Sequence, residues 1–193
     1  LRRPFTEMVR AAAADVHPLL YYLMLRGWAA LCGESLVALR LFSALPVLLL
    51  ALCGGRAVER EFGLRTGRYF ALVTLLLPAA MRYGSQLRMY SWAMLFVGMA
   101  ALSAWRAHRS GSPRDFAALA VFALLAGYTH YFALLAVGVI ELMLLLSLRR
   151  RRRGRRAFFV AAAVQVIFYL PGLVLFFVTH HDGRVWNIRC SNT

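Results

Sequence analysis

The sequence predicts an all-α, polytopic transmembrane helical bundle. Three observations predict this fold class. Hydrophobic residues make up 61% of the 193 residues, above the roughly 45–50% that is typical of soluble domains. They form blocks close to the ~20 residues that cross a bilayer, and arginine clusters separate these blocks. Because backbone amides in the hydrocarbon core must be satisfied internally, each block is predicted to be a helix.

Six or seven membrane helices are expected. The six predicted spans are 36–53, 69–81, 90–105, 116–128, 131–148 and 157–178. The seventh candidate, 18–32, contains Arg26 and is followed by Gly33. This pattern favours an amphipathic helix that lies at the membrane interface rather than crossing the bilayer.

Signals for helix ends accompany several of these blocks. Gly54 and Gly55 are expected to close the first span, because glycine is common just beyond helix ends. Ser112 followed by Pro113 is typical of a helix N-terminus. Pro78 lies within a predicted span, where a proline is expected to kink the helix.

The domain organisation is expected to be that of a fragment. The sequence starts at Leu1 rather than Met, without a signal-like apolar run, and ends in polar residues soon after an apolar block. We therefore expect an outer-loop segment, 1–17, followed by a transmembrane domain, 18–193, that is incomplete at both ends. The three cysteines have no CxxC spacing, so they are interpreted as structural thiols.

The formal net charge of +15 predicts orientation rather than nucleic-acid binding. All 23 basic residues are arginines, and no long soluble segment remains to carry a groove-reading element. The loops 54–68, 105–115 and 149–156 hold four, three and seven arginines, and they are alternate loops. By the positive-inside rule these loops are cytoplasmic, which predicts a multi-pass protein of the plasma (inner) membrane. The arginine run in 149–156 is interpreted as a topology anchor that touches anionic lipid.

With this topology, the remaining polar residues collect on the non-cytoplasmic side. They are Asp15, His17, Tyr21, Tyr22, Tyr83, Gln86, Arg88, Tyr90, Tyr128, Thr129, His130, Tyr131, His180, His181 and Asp182. Aromatic belts explain some of the tyrosines but not the Arg, the Gln and the His residues among them. Groups that act on a lipid-carried, water-soluble headgroup would belong at this level.

Several segments in this set resemble a known family. The matching segments are 15–23 (DVHPLLYYL), 33–35 (GES), 38–43 (ALRLFS), 86–93 (QLRMYSWA), 128–133 (YTHYFA) and 169–171 (YLP). In order, they resemble bacterial GT-C glycosyltransferases related to protein mannosyltransferases and lipid A aminoarabinose transferases. The chain departs from that family at Leu19, where a second proline is usual, and at Gln86, where relatives often carry Glu.

The resemblance implies a membrane enzyme that moves a sugar from a polyprenyl-phosphate donor to a protein or glycan acceptor on the non-cytoplasmic face. The acidic residue that the family uses as general base lies in a stretch that we expect to precede Leu1. A membrane transporter and a non-catalytic scaffold remain alternatives. A transporter is disfavoured because its polar groups usually lie near the bilayer midplane. No cofactor and no tightly bound metal are predicted, although a loosely bound divalent cation stays open.

Sugar transfer from a phosphate needs a base for the acceptor and cations for the departing phosphate. Asp15 is a candidate base or a partner that orients His17, and its alternative role is a helix N-cap. His17 is a candidate phosphate ligand or proton carrier, and its alternative role is a hydrogen-bonded interfacial residue.

The candidate donor-binding residues are Arg88, Gln86, Tyr90, His130, Tyr131 and Arg40. Arg88 is the leading cation because guanidinium forks onto phosphate oxygens, and Gln86 and Tyr90 flank it at spacings that share a helix surface. Its alternative role is snorkelling to lipid headgroups. Arg40 either pairs with Glu34 or faces the donor.

For two further residues, a structural role is the main alternative to a functional one. His130 lies in a tight hairpin between two spans, where helix capping is the alternative to binding. Glu141 lies deep within its span and therefore needs a partner, for which Arg26 is a candidate.

Overall fold

The computed structural model describes residues 20–149 and 154–181, with only the backbone described for 172–181. These residues form helices and no strand, which confirms the all-α fold class. In chain order the α-helices are α1 Leu20–Cys32, α2 Leu36–Leu49, α3 Gly55–Phe62, α4 Leu64–Leu76, α5 Pro78–Ser85, α6 Tyr90–Ser110, α7 Pro113–Thr129, α8 Tyr131–Leu148 and α9 Arg155–His181. A π-helical turn, Leu50–Gly54, joins α2 to α3.

The first predicted span does not end at Gly54 and Gly55, which corrects the expectation from the sequence. The helix continues through the π turn, and the break comes at Gly63, whose φ of 93° favours glycine. Gly55 instead lies against α4, where an added Cβ would be 3.3 Å from the Gly67 carbonyl oxygen. The glycine pair therefore serves close helix packing.

The other boundaries follow the predicted blocks with local differences. At Pro78 the structure has a break rather than a kink, because Leu77 adopts an extended conformation before the proline. The next helices extend beyond their predicted ends to Ser110 and Thr129. Ser112 is the N-cap residue of α7, as predicted, with Pro113 at the first turn.

Two helices of the described residues are long and apolar enough to cross a membrane: the continuous stretch Leu36–Phe62 and α8. At 21 residues α6 is long enough, but its last turns carry Arg106, His108 and Arg109. The described part of α1 has 13 residues, and its expected position at the membrane interface stays a prediction. The expected total of six or seven spans stays a prediction.

Small residues form the centre of the bundle, where α6 packs against α7. Buried alanines line both helices: Ala100, Ala104 and Ala107 on α6, and Ala120, Ala123 and Ala126 on α7. Small side chains let helix backbones approach closely, which is the usual way that membrane helices gain contact. This contact holds α6 and α7 as an antiparallel pair and places their connected ends at the same level.

The arginine-rich loops meet at one end of the bundle. Arg109 Nη1 lies 3.3 Å from Glu61 Oε2, which joins the end of α6 to the end of α3. Arg106 Nε lies 3.7 Å from Asp115 Oδ1, across the α6–α7 connection. The alternation of helices therefore brings the N-termini of α6 and α8 to the opposite end.

Candidate active site

Arg88 lies in a short non-helical connection at this opposite end. Residues 86–89 join α5 to α6, and the Arg88 N–H donates to the Gln86 carbonyl oxygen at 2.8 Å. Gln86 is half-buried and Arg88 is exposed. Because these residues are not helical, the expectation that Gln86, Arg88 and Tyr90 share a helix surface is wrong. A tight turn positions Arg88 instead.

Tilted aromatic contacts connect this turn to the α7–α8 hairpin. The Tyr90 ring lies 5.0 Å from the Tyr83 ring and 5.4 Å from the His130 ring, between ring centroids. The structure thus brings together Tyr90 and His130, two of the predicted donor-binding residues, across 40 residues of sequence. Aromatic pairs at these distances contribute about 0.5–1.5 kcal/mol beyond their buried area.

His130 is the single residue between α7 and α8, as the predicted tight hairpin requires. Its Nδ1 accepts a hydrogen bond from the Phe132 N–H at 3.1 Å and so caps α8. Because Nδ1 is the acceptor, the neutral ring carries its proton on Nε2. The capping role considered from the sequence is therefore present, and it fixes the ring orientation beside Tyr90.

A buried aromatic cluster holds α1 against α2 and α6 next to Arg88. The Phe42 ring lies 5.8 Å from Tyr21, 5.9 Å from Trp28 and 5.1 Å from Trp92. The Trp28 indole also donates to the Ala38 carbonyl oxygen at 2.8 Å, which fastens α1 to α2.

Burial raises the pKa of Tyr21 to about 12, while the Ser43 hydroxyl and the Arg88 charge oppose the rise. The Tyr21 phenol is therefore neutral at physiological pH and keeps its proton to donate. This tyrosine thus joins the buried cluster to the exposed cation.

Buried polar atoms around this cluster have no hydrogen-bond partner among the described residues. They are Ser91 Oγ and Trp92 Nε1, together with Tyr21 Oη and Ser43 Oγ, which lie close to each other but fall short of hydrogen-bond geometry. An unsatisfied buried polar group costs roughly 1–3 kcal/mol, so such a concentration is unusual away from ligand sites. Sequence reasoning did not single out Ser43, Ser91 or Trp92, although all three lie within the segments that carry the family resemblance.

The remaining candidate residues lie at exposed positions of the helices or outside the described part of the chain. Arg40 is exposed on α2, and Tyr131 is exposed at the start of α8. Asp15 and His17 lie outside the described residues, so their predicted catalytic roles stay predictions.

The deep carboxylate is partnered, but not by the residue expected from the sequence. Glu141 Oε1 on α8 accepts a hydrogen bond at 2.6 Å from Nε2 of Gln165, a buried residue of α9. The suggested pairing with Arg26 is therefore corrected to Gln165. This neighbour satisfies the carboxylate within the bundle, which supports a structural role.

The arrangement at this end suits an anionic headgroup. An exposed guanidinium, a protonated phenol and a tilted aromatic ring pair can bind phosphate oxygens and a sugar ring. Among residues 20–149 and 154–171, whose side chains the structure describes, no group of three His, Cys, Asp or Glu side chains could hold a metal ion.

These features define a helical membrane protein with a cationic and aromatic site at one end of its bundle. The chain belongs to the dolichyl-phosphate-mannose-protein mannosyltransferase family, whose model matches residues 16–186. The family places it among glycosyltransferases of the GT-C type. Comparison with curated proteins and with solved structures finds no match.

Proposed function

We propose that the protein transfers a sugar from a polyprenyl-phosphate donor to a protein or glycan acceptor on the non-cytoplasmic face of the plasma (inner) membrane. The observation that carries this proposal is the position of Arg88, an exposed cation close to the buried Tyr21 phenol. This site lies at the end of the bundle that is remote from the arginine-rich loops, and those loops mark the cytoplasmic side of a membrane protein.

In the proposed reaction, an acceptor oxygen attacks the anomeric carbon as the bond from that carbon to the phosphate oxygen breaks. The acceptor proton passes to a base, and the polyprenyl phosphate leaves with the bonding electrons. Arg88 stabilises the charge that develops on the phosphate, and the Tyr21 phenol donates a hydrogen bond to it. Tyr90 and His130 provide the aromatic wall for the sugar ring. Asp15 is proposed as the base, or as the residue that orients His17.

The remaining predicted residues have supporting roles in this proposal. Gln86 shapes the turn that presents Arg88, since its carbonyl oxygen accepts the Arg88 N–H. Arg40 and Tyr131 are exposed, and we assign them to the headgroup level, where they would contact the donor. No step requires a metal bound by the described residues.

A transporter remains the less favoured alternative. Transporters place substrate and ion sites near the bilayer midplane, often on broken helices. Here the two deep polar residues, Glu141 and Gln165, form a hydrogen bond with each other rather than lining a pathway. Of the five buried polar atoms without a hydrogen-bond partner among the described residues, four lie instead on Tyr21, Ser43, Ser91 and Trp92, toward the bundle end that holds Arg88.

The test is Arg88→Ala in the full-length gene product, with radiolabelled sugar transfer from a defined polyprenyl-phosphate donor as the readout. Loss of a cation that stabilises developing charge should lower kcat by roughly 100-fold or more. Arg65→Ala is the matched control, because Arg65 is exposed on α4 near the other end of the bundle, and it should leave turnover unchanged. Equal activity of the two variants, with both proteins inserted normally, would remove Arg88 from the site.

A further inference from the structure

A cavity lies far from the candidate active site, on the lateral surface between α7 and α9. It has a volume of about 620 Å³, within the range of ligand-binding clefts. Its walls include Ala117 and Val121 from α7, and Val160 and Val164 from α9. Val121 and Val160 are more than half exposed, so the cavity is an open groove along the helices rather than an enclosed void.

One charged residue stands at the mouth of this apolar groove. Arg156, in the first turn of α9, lines the cavity, and the neighbouring Arg155 is also exposed. Asp115, in the first turn of α7, accepts a hydrogen bond from Ser110 and pairs with Arg106. The groove thus combines apolar walls with a net positive entrance.

The glycine before α9 allows this shape. Gly154 has a φ of +83°, and a Cβ added there would lie 2.9 Å from the Phe116 ring. This glycine therefore lets the start of α9 approach the start of α7 closely. As a result, Arg156 lies beside the end of the groove that Pro113 and Phe116 line.

We propose that this groove binds one anionic phospholipid, with an acyl chain along the α7–α9 wall and the phosphate at Arg156. Apolar walls without hydrogen-bonding groups suit a hydrocarbon chain, whereas a peptide backbone would lose its hydrogen bonds there. Basic pockets between membrane helices select anionic headgroups over zwitterionic ones. The site is separate from the proposed transfer reaction and does not rest on it.

The experiment is native mass spectrometry of the detergent-solubilised full-length protein with added phosphatidylglycerol, phosphatidylethanolamine or polyprenyl phosphate. We expect one phosphatidylglycerol to be retained in preference to phosphatidylethanolamine. Arg156→Gln should lower that retention roughly fivefold, since an arginine near an anionic surface contributes about 1 kcal/mol. Ala117→Phe, which fills the groove from an exposed position, should also reduce retention.

Matched controls separate the groove from general membrane contact. Arg65→Gln removes a charge near the same end of the bundle, and Val139→Phe adds an aromatic ring to an exposed position of α8 outside the groove. Neither should alter retention. Equal retention of both phospholipids, equal effects of test and control variants, or preferred binding of polyprenyl phosphate would overturn the proposal. A dimer that Ala117→Phe disrupts without lipid bound would assign the groove to a second copy and would also overturn it.

Discussion

Tyr21 contributes to the candidate site in two ways, through its buried ring and through its hydroxyl. Its ring is 3% exposed and contributes to the aromatic cluster with Phe42, while its hydroxyl has no hydrogen-bond partner among the described residues. The ring stabilises the contact of α1 with α2, whereas the enclosed hydroxyl costs roughly 1–3 kcal/mol. The position of this hydroxyl near Arg88 is the reason to test a role in binding separately from a role in folding.

Tyr21→Phe separates these two roles, because it keeps the ring and removes only the hydroxyl. We expect the stability to stay equal or to rise by about 1 kcal/mol, since the buried donor is lost together with its penalty. Transfer from the polyprenyl-phosphate donor should fall about tenfold, because the phosphate loses one hydrogen bond. Thermal unfolding in detergent and the sugar-transfer assay measure the two effects.

The control for this substitution is Tyr69→Phe, at an exposed position of α4. It should change neither quantity. A Tyr21→Phe protein that unfolds at a lower temperature with unchanged turnover would make the hydroxyl structural and exclude it from the site.

At the scale of helices, the sequence predicts most elements, but it ends the first span at Gly54 and Gly55 rather than at Gly63, and it treats the region of α4 and α5 as one span. Hydrophobic blocks of bilayer length need only composition to be recognised, so α6, α7 and α8 were predicted close to their true positions. Gly54 and Gly55 were misinterpreted because their role depends on α4, and no local pattern records that contact. The unpartnered atoms of Ser43 and Ser91 could not be predicted for the same reason, since burial of a serine is decided by its tertiary neighbours.

The α3–α4 contact gives a test of the glycine interpretation. A Cβ at Gly67 would lie 2.7 Å from the Gly55 carbonyl oxygen and 2.5 Å from Glu59 Cβ, so the two helices would have to separate. Gly67→Ala should therefore destabilise the protein by about 1–3 kcal/mol, the usual cost of overpacking. Thermal unfolding in detergent measures this change.

Gly138→Ala is the matched control, because a Cβ there meets no atom within 4 Å. It should leave stability unchanged or raise it by up to about 1 kcal/mol through better helix propensity. If Gly67→Ala is as stable as Gly138→Ala, close α3–α4 packing is not what retains the glycine.

For the whole molecule, the proposed function depends on the different side chains that the two ends of the bundle carry. One end gathers the arginine-rich connections, with Arg109 paired to Glu61 and Arg106 to Asp115. The other end gathers Arg88 and the tilted ring pair of Tyr90 and His130. The fold establishes that these groups lie at opposite ends, whereas the arginine count alone supports the assignment of each end to a membrane side.

Cysteine labelling in cells tests that assignment. After Cys32, Cys53 and Cys190 are replaced by serine, Leu87→Cys reports on the end with Arg88, and Arg65→Cys reports on the other. Both positions are exposed. A membrane-impermeant maleimide added outside should label the cysteine at 87 in intact cells, and the cysteine at 65 only after permeabilisation, because arginine-rich loops stay in the cytoplasm. Labelling of both positions from one side would mean that the bundle ends do not face opposite compartments. The reverse pattern would place Arg88 in the cytoplasm and contradict transfer on the non-cytoplasmic face.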